Sequence, residues 1–328
     1  MGRLLPTPYP PSMSTTLVLG GTGFLGAHVS AAAFHQSLSL ATFADPHGPP
    51  VIAVGRDPQS SPRFCTPRDG VQYLLRDLFP PGASEALLDD LQPEAVFSCA
   101  ALARISDCTD HPDRAGRLNA DVPREVATWC ATHDARLVHV STDLVFGSTP
   151  PPAGGFAETC ETGPLSEYGR SKLRGEAAVL EAHPEALVVR LPLLYGNSGG
   201  RGIGASDSLL EAIDRGEQPG LFHDEFRTPL EVSNVADALI ELAGADATGL
   251  LHLAGPERIS RFDLGLAVLG AMGLEPDEAQ GSIQRTGRMD HPGHEERPAD
   301  VCLDGSEARG ILEVPLLGVA TGLAQAMR

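Results

Sequence analysis

A glycine-spaced turn is the feature of this sequence that most constrains its fold. The segment GGTGFLG places Gly20, Gly23 and Gly26 at intervals of three residues. It follows a β-rich run and opens a stretch of helical character that starts near Phe24. Gly20 permits a tight turn, Gly23 lets the backbone approach a pyrophosphate, and Gly26 lets the helix lie close to the sheet. The pattern therefore predicts a strand, a turn and a helix that together bind a dinucleotide.

The N-terminal end of the predicted helix supplies the binding groups. Its free N–H groups and the positive end of its dipole attract a phosphate. We therefore assign cofactor binding to Gly20, Gly23, Phe24, Leu25 and Gly26. The competing interpretation is a purely structural turn, because glycine serves turns for many reasons.

Short apolar runs alternate with helical segments up to Tyr195. The strand candidates are Thr15–Gly20, Val51–Val54, Tyr73–Leu75, Ala95–Cys99, Arg136–Val140 and Leu187–Leu191. The helix candidates include Ser84–Leu91, Pro123–Thr132 and Leu165–Ala182. This alternation is typical of an α/β protein with a Rossmann-type, doubly wound parallel sheet and right-handed crossovers.

Beyond Tyr195 the pattern changes, since glycines crowd the chain and the strand candidates become isolated. Those strands are Pro229–Val232 and Leu250–Leu253, and helices are expected near Ser206–Arg215, Val235–Ala243, Arg261–Met272 and Leu316–Ala326. We predict a dinucleotide-binding domain at 13–194 and a smaller α+β, mainly substrate-binding region at 195–328, with elements near 229–243 returning to the first domain. The proline-rich residues 1–12 are predicted to be a disordered tail.

The charge balance argues against several classes of partner. The 328 residues carry 24 Lys and Arg against 43 Asp and Glu, a formal net charge of −19, which disfavours nucleic acid and anionic membranes. No apolar run reaches the ~18 residues that a membrane-spanning helix needs. Six scattered cysteines without a CxxC pair fit free thiols better than a zinc site or a disulfide framework. We expect a cytoplasmic protein without a metal site that acts on a small molecule, and leave a homodimer open.

Residues after the second and third predicted strands bear on the choice of cofactor. Arg56 offers a guanidinium to the 2′-phosphate of NADP(H), where an acidic side chain would favour NAD(H). The sequence therefore favours NADP(H), with NAD(H) as the alternative, although Arg56 could instead pair with Asp57. Asp77, followed by Leu78, comes after the third strand, where a carboxylate can accept a hydrogen bond from an adenine amino group. A solvated loop aspartate is the alternative for Asp77.

A tyrosine and the only lysine of the chain stand four residues apart. Tyr168 and Lys172 share one face of the predicted helix at Leu165–Ala182. An ammonium beside a phenol stabilises phenolate and lowers a pKa that is ordinarily ~10, so the tyrosine can exchange a proton near neutral pH. Every other basic residue is arginine, and a compact ammonium can donate to ribose hydroxyls where a planar guanidinium cannot. A chance spacing in an arginine-biased chain is the competing interpretation.

The strand before this helix ends in two hydroxyl side chains, Ser141 and Thr142, and here the resemblance to a known family becomes specific. The chain resembles the extended short-chain dehydrogenase/reductases, and within them the dTDP-4-dehydrorhamnose reductase branch. The matching segments are GGTGFLG (20–26), STDLVFG (141–147), PLSEYGRSKLRGE (164–176) and RPADVCLD (297–304).

The resemblance implies a role for several residues. Thr142 would hydrogen-bond the substrate carbonyl, Tyr168 would be the general acid, and Lys172 would hold the nicotinamide ribose and lower the pKa of Tyr168. Other positions matched by the resemblance are Ala100 and Ala101 beside the cofactor, Asn119 on the next helix, and Arg227 near a substrate phosphate. The segment after the fourth strand departs from the branch, because it lacks an aromatic residue and carries Arg104.

These features together predict an NADP(H)-dependent reductase of a keto group on a nucleotide-activated sugar. We expect Arg227 and Arg104 to hold an anionic diphosphate, with ion pairs to neighbouring carboxylates as the alternative. One competing function is an NAD-dependent sugar-nucleotide epimerase or dehydratase. The other is an NADP-binding regulatory subunit without turnover.

Overall fold

Seven parallel strands form the central sheet of the computed structural model, which describes residues 15–39, 50–56 and 70–327. The predicted tail at 1–12, Asp57 and Cys65 lie outside the described residues. The described strands are β1 (Thr16–Leu19), β2 (Val51–Gly55), β3 (Val71–Leu75), β4 (Ala95–Ser98), β5 (Arg136–Thr142), β6 (Leu187–Leu191), β7 (Leu194–Tyr195), β8 (Gly220–Phe222), β9 (Phe226–Arg227), β10 (Leu230–Glu231), β11 (Gly249–His252), β12 (Ile259–Ser260) and β13 (Gln284–Thr286). The described α-helices are α1 (Phe24–Ser39), α2 (Ala83–Leu91), α3 (Ile105–Asp110), α4 (Pro112–Gly116), α5 (Val122–His133), α6 (Glu167–Ala182), α7 (Asp207–Asp214), α8 (Val232–Gly244), α9 (Arg261–Ala271), α10 (Pro276–Ser282), α11 (Ser306–Ile311) and α12 (Val319–Ala326).

The strand order of the central sheet is β3-β2-β1-β4-β5-β6-β11. All six pairs are parallel, so the prediction of a Rossmann-type, doubly wound α/β sheet is confirmed. Leu19 at the end of β1 lies opposite Val54 of β2 and Ser98 of β4. The chain runs outward in opposite directions from β1, and ligands of such sheets bind at the carboxyl ends of the strands at this switch point.

Side chains alternate between the two faces of the sheet and build a core on each. Val18 packs with Val29 of α1 and Leu239 of α8, whereas Leu17 packs with Val126 of α5. Because helices cover both faces, the strands are continuous apolar runs rather than alternating ones. β2 and β6 are buried along their whole length.

The helix ends follow local capping chemistry. The segment predicted as a helix from Leu165 starts at Glu167, because the hydroxyl of Ser166 accepts a hydrogen bond from the N–H of Gly169 at 3.1 Å. The last helix, predicted from Leu316, starts at Val319, directly after Gly318. Helices α3 and α4, which span six and five residues, were not predicted because they carry too little periodicity to be recognised.

The C-terminal part of the chain contributes to the central sheet as well as to smaller sheets. The strand at Gly249–His252, which we expected in the C-terminal region, instead pairs with β6 at the sheet edge. The preceding helix α8 packs against α1, and this crossover carries the chain back to the sheet. Three two-stranded pairs, β10 with β7, β12 with β9 and β13 with β8, belong to the remaining region. The division into domains at residue 195 stays a prediction.

The contact between Gly26 and the turn before it yields a stability prediction. A Cβ on Gly26 would collide with the carbonyl oxygen of Gly20, whereas a Cβ on Gly270, in helix α9, would meet no atom within 4 Å. We expect Gly26→Ala to lower the free energy of unfolding by about 1–3 kcal/mol, because the backbone must shift. The control Gly270→Ala should raise it by up to about 1 kcal/mol. Urea denaturation of both variants checks this, and equal stability of the two would contradict the packing role of Gly26.

Candidate active site

Two adjoining depressions lie at the carboxyl ends of the parallel strands. The larger is a cavity of about 650 Å³ and the smaller a cleft of about 180 Å³. Gly23, Cys99 and Ala101 line both, so the two form one continuous groove. The groove lies where α/β sheets bind their ligands.

The glycine loop forms part of the wall between these depressions. Gly20 has a φ of +79°, and a Cβ at this position would lie 2.7 Å from the backbone nitrogen of Ala100. Phe24 and Leu25 line the larger cavity, while Gly26 packs behind the turn against Gly20. Only glycine therefore lets the turn come this close to the strand β4, and the loop leaves room for a group that lies along it.

The smaller cleft brings together the residues expected to bind the adenosine end of a cofactor. Arg56, Asp77, Leu78 and Ala100 all line it. Arg76 lines the cleft too, and this second guanidinium was not predicted from the sequence. The signal was present, because Arg76 directly follows β3 just as Arg56 follows β2, and these parallel neighbours end at the same edge of the sheet.

The larger cavity holds the three predicted catalytic side chains. Thr142 ends β5, and Tyr168 and Lys172 come from α6. The hydroxyl of Thr142 donates to Asp143 Oδ1 at 3.2 Å and accepts from the N–H of Leu144 at 3.2 Å. Burial raises the pKa of Tyr168, and the hydrogen bond between its hydroxyl and that of Thr142 opposes this shift. The structure thus holds the phenol protonated.

Lys172 faces the strand rather than the phenol. Its Nζ donates to the carbonyl oxygen of Val140 at 2.6 Å and lies 3.3 Å from Nε2 of His139. Burial lowers the pKa of Lys172 to about 8, opposed by the nearby carboxylate of Glu176. The expectation that Lys172 lowers the pKa of Tyr168 does not hold in this structure, because desolvation of the phenol dominates. His139 was not recognised from the sequence, where it is one residue of an apolar strand.

A cluster of buried charges borders the catalytic side chains. Arg227 lies 3.4 Å from Asp143 Oδ2 through its Nε and 3.2 Å from Glu225 Oε1 through its Nη2. Arg297 lies 3.8 Å from Glu225 Oε2, and Arg261 lines the same part of the cavity. Burial raises the pKa of Asp143 to about 6, and the guanidinium of Arg227 opposes that shift. Arg227 is therefore linked to Thr142 through Asp143.

Other predicted residues lie elsewhere or have supporting contacts. Arg104 is exposed at the start of α3 and is absent from the cavity lining. Asn119 donates to Ser171 Oγ at 2.9 Å and to the carbonyl of Leu102 at 3.0 Å, and so braces the loop after β4. Ser141 donates to a buried carboxylate oxygen of Glu176 at 2.5 Å, an environment that suits a structural hydroxyl.

Two features are absent from the parts of the chain that the structure describes. Among residues 15–39, 50–56 and 70–327, no group of three or more His, Cys, Asp or Glu side chains is arranged to hold a metal ion. Across the same ranges no helix combines the length and the apolar character needed to cross a membrane.

Comparison with known proteins relates this geometry to a family. The model of the RmlD substrate binding domain matches residues 13–327. The chain is 33% identical over 229 residues to the probable low-salt glycan biosynthesis reductase Agl14 of Haloferax volcanii, covering 69% of this chain and 74% of that protein. It is 34% identical over 220 residues to the dTDP-4-dehydrorhamnose reductase of Mycolicibacterium smegmatis, covering 66% and 64%.

A solved structure has the same fold. The dTDP-4-dehydrorhamnose reductase from Bacillus anthracis, in complex with NADP, superimposes with a TM-score of 0.74 over 96% of this chain and 99% of that chain. The two sequences are 19% identical, so this likeness concerns the fold.

The raised pKa of Asp143 predicts a pH-dependent contribution to stability. Protonation of Asp143 is easier in the folded state, at about 6, than in the unfolded chain, at ~3.9. Its contribution is therefore full below pH ~4 and is lost as the pH rises through about 6. The quantity to measure is the free energy of unfolding of the parent minus that of Asp143→Asn. We expect this difference to decrease as the pH rises from 4 to 6.5 and to stay constant at higher pH. Urea denaturation at intervals of half a pH unit measures this difference. A difference that does not change with pH would contradict the raised pKa of Asp143.

Proposed function

Because the chain belongs to the RmlD substrate binding domain family, we propose that it is an NADP(H)-dependent reductase of a keto group on a nucleotide-activated sugar. The relatives described above include a dTDP-4-dehydrorhamnose reductase, so a 4-keto deoxysugar nucleotide is the first substrate to test. The observation that carries the proposal is the meeting of Thr142, Tyr168 and the glycine loop in one cavity.

The residues of the groove fit a dinucleotide with a 2′-phosphate. The turn at Gly20 has no room for a Cβ and leaves its outer side open to a pyrophosphate. Arg56 and Arg76 place two guanidinium groups in the smaller cleft, where a 2′-phosphate can bind. The bound cofactor would supply the hydride, and the remaining steps belong to the side chains of this chain.

Proton transfer falls to Tyr168. Its phenol is held protonated and touches Thr142, so it can donate a proton to the substrate oxygen as that oxygen gains negative charge. Thr142 can turn its hydroxyl from Asp143 to the same oxygen, which orients the carbonyl. Lys172, with a pKa near 8, places a positive charge under this region and can donate to the cofactor ribose. Apolar neighbours such as Leu144 and Leu193 exclude water.

The charged cluster supports an anionic substrate. Three guanidinium groups, from Arg227, Arg261 and Arg297, face two carboxylates, which leaves one net positive charge on a strongly acidic chain. That excess favours a phosphate-bearing substrate. Asp143 Oδ2 and Glu225 Oε2 are buried and accept no hydrogen bond from the described residues, but each faces a guanidinium, that of Arg227 or that of Arg297. Arg104 lies outside the cavity lining. Its role in binding the substrate diphosphate therefore stays a prediction without support from the cavity.

The alternatives differ from this proposal in testable ways. An epimerase or dehydratase needs a further acid or base, and Asp143, next to the triad, is paired with Arg227. That pairing favours a simple reductase. A regulatory subunit without turnover would not require Thr142, Tyr168 and Lys172 to meet in one cavity. A cytoplasmic location and a homodimer remain predictions.

Replacement of the proposed acid tests the function. We expect the parent to oxidise NADPH in the presence of dTDP-4-dehydrorhamnose or a related 4-keto sugar nucleotide. Tyr168→Phe should lower kcat by ~10²–10⁴ with little change in the Kd for NADPH, because only the proton donor is lost. Loss of NADPH absorbance gives the rate, and fluorescence titration gives the Kd.

Tyr195→Phe is the matched control for this experiment. Tyr195 is also buried, but its hydroxyl donates to the carbonyl of Val319 at 3.4 Å, outside the cavity lining. Its removal should leave kcat unchanged. Full activity of Tyr168→Phe would contradict the assignment of the acid. Tightly held NAD in the purified parent would support the epimerase or dehydratase alternative instead.

Cofactor selection can be tested at Arg56. Its exposed guanidinium lines the cleft that we assign to the adenosine end. Arg56→Ala should weaken NADPH about 10- to 100-fold, because a charge-assisted hydrogen bond contributes about 1.5–3 kcal/mol. Binding of NADH, which lacks the 2′-phosphate, should change less than about twofold. Fluorescence titration with both nucleotides makes the comparison, and an equal loss for both would place Arg56 elsewhere in the site.

A further inference from the structure

The glycine-crowded segment 197–204 lies against the glycine loop, and its function was not assigned from the sequence. Nε2 of His28 on α1 lies 2.8 Å from the carbonyl oxygen of Asn197. A Cβ on Gly204, whose φ is +87°, would lie 2.5 Å from the ring of Phe24. The segment therefore packs directly on the first turn of α1, and glycine is what permits the approach.

Hydrogen bonds inside the segment give it a defined shape. The buried hydroxyl of Ser198 accepts from the N–H of Arg201 at 3.1 Å and from the N–H of Ile203 at 3.4 Å. The N–H of Ser198 donates to Asp207 Oδ2 at 2.6 Å, at the start of α7. The loop is thus anchored to a helix and folded around one serine, which fixes the direction of Arg201.

Arg201 reaches from this loop to the carbonyl oxygens of the glycine loop. Its Nη1 donates to the carbonyl of Thr22, and its Nη2 donates to the carbonyl of Gly23 at 3.3 Å. Its Nε donates to the carbonyl of Ser198 at 2.8 Å. A planar guanidinium can bridge two adjacent carbonyls in one fixed geometry, which an ammonium cannot do.

These contacts determine the orientation of the peptides at the phosphate-binding turn. The N–H groups of Gly21 and Gly23 donate inside the turn, to Val54 and to Gly20. The groups left for a ligand are therefore the first N–H groups of α1, which have no acceptor within the helix and whose direction follows the carbonyls held by Arg201. We propose that Arg201 is a positioning residue, through which the segment 197–204 fixes the glycine loop in the conformation that binds the cofactor pyrophosphate. This inference rests on the proposed dinucleotide cofactor.

The test compares a ligand that contains the pyrophosphate with one that lacks it. We expect Arg201→Gln to weaken NADPH at least tenfold, while adenosine 2′-monophosphate, which engages only the cleft around Arg56, changes less than twofold. Isothermal titration calorimetry gives both dissociation constants, and thermal unfolding shows whether the variant is folded. Arg201→Lys, which keeps the charge but cannot bridge two carbonyls, should weaken NADPH nearly as much as Arg201→Gln.

A control variant shows whether the loss of affinity is specific to Arg201. Arg215→Gln removes an exposed arginine that pairs with Glu211 and Glu217 beyond the loop, and its affinity for NADPH should equal that of the parent. Parental affinity of Arg201→Lys, or an equal loss for both ligands in Arg201→Gln, would overturn the positioning role while leaving the cofactor intact. A parent that binds neither NADPH nor NADH would instead overturn the proposed function and this inference with it.

Discussion

The close approach of backbone segments to one another at the turn after β1 is the constraint on which the rest of the site depends. Gly20 packs against the backbone of Ala100, and Gly26 packs against Gly20. Strand, turn and helix therefore lie in contact without side chains between them. This closeness leaves the amino end of α1 open at the switch point of the sheet. Residues at the ends of the neighbouring strands β2, β3 and β4 then line one groove. The smaller cleft is therefore a consequence of this packing.

The catalytic end of the groove depends on charges that are buried together. Burial alone would raise the pKa of Asp143 and lower that of Lys172, and the neighbouring Arg227 and Glu176 each oppose the respective shift. Asp143 is held by the guanidinium of Arg227, and the ammonium of Lys172 is held by the carbonyl oxygen of Val140. Such an arrangement can accept the transient negative charge of a reduced carbonyl with little reorganisation of the protein.

Local patterns carried most of what the sequence could predict. The glycine loop and the Tyr168–Lys172 pair each depend on residues within seven positions, and both lie where the pattern placed them. The charged cluster could be predicted from the sequence only in part. Its members Asp143, Glu225 and Arg261 lie far apart in the chain and meet only through the packing of the C-terminal region. The direction of the Lys172 side chain could not be predicted either, since the carbonyl of Val140 that accepts its hydrogen bond has no sequence signature.

The single lysine has a consequence for the chemistry of the whole molecule. Lys172 is almost completely buried in the cavity wall, and the cationic surface of the chain is otherwise arginine. Reagents and enzymes that acylate lysine amines therefore find no side-chain target on the outside of the folded protein. An amine-reactive probe small enough to enter the groove would modify one lysine side chain, and its rate would report how accessible the amine of Lys172 is. The arginine-rich composition thus leaves the amine of Lys172 as a natural reporter group for the larger cavity.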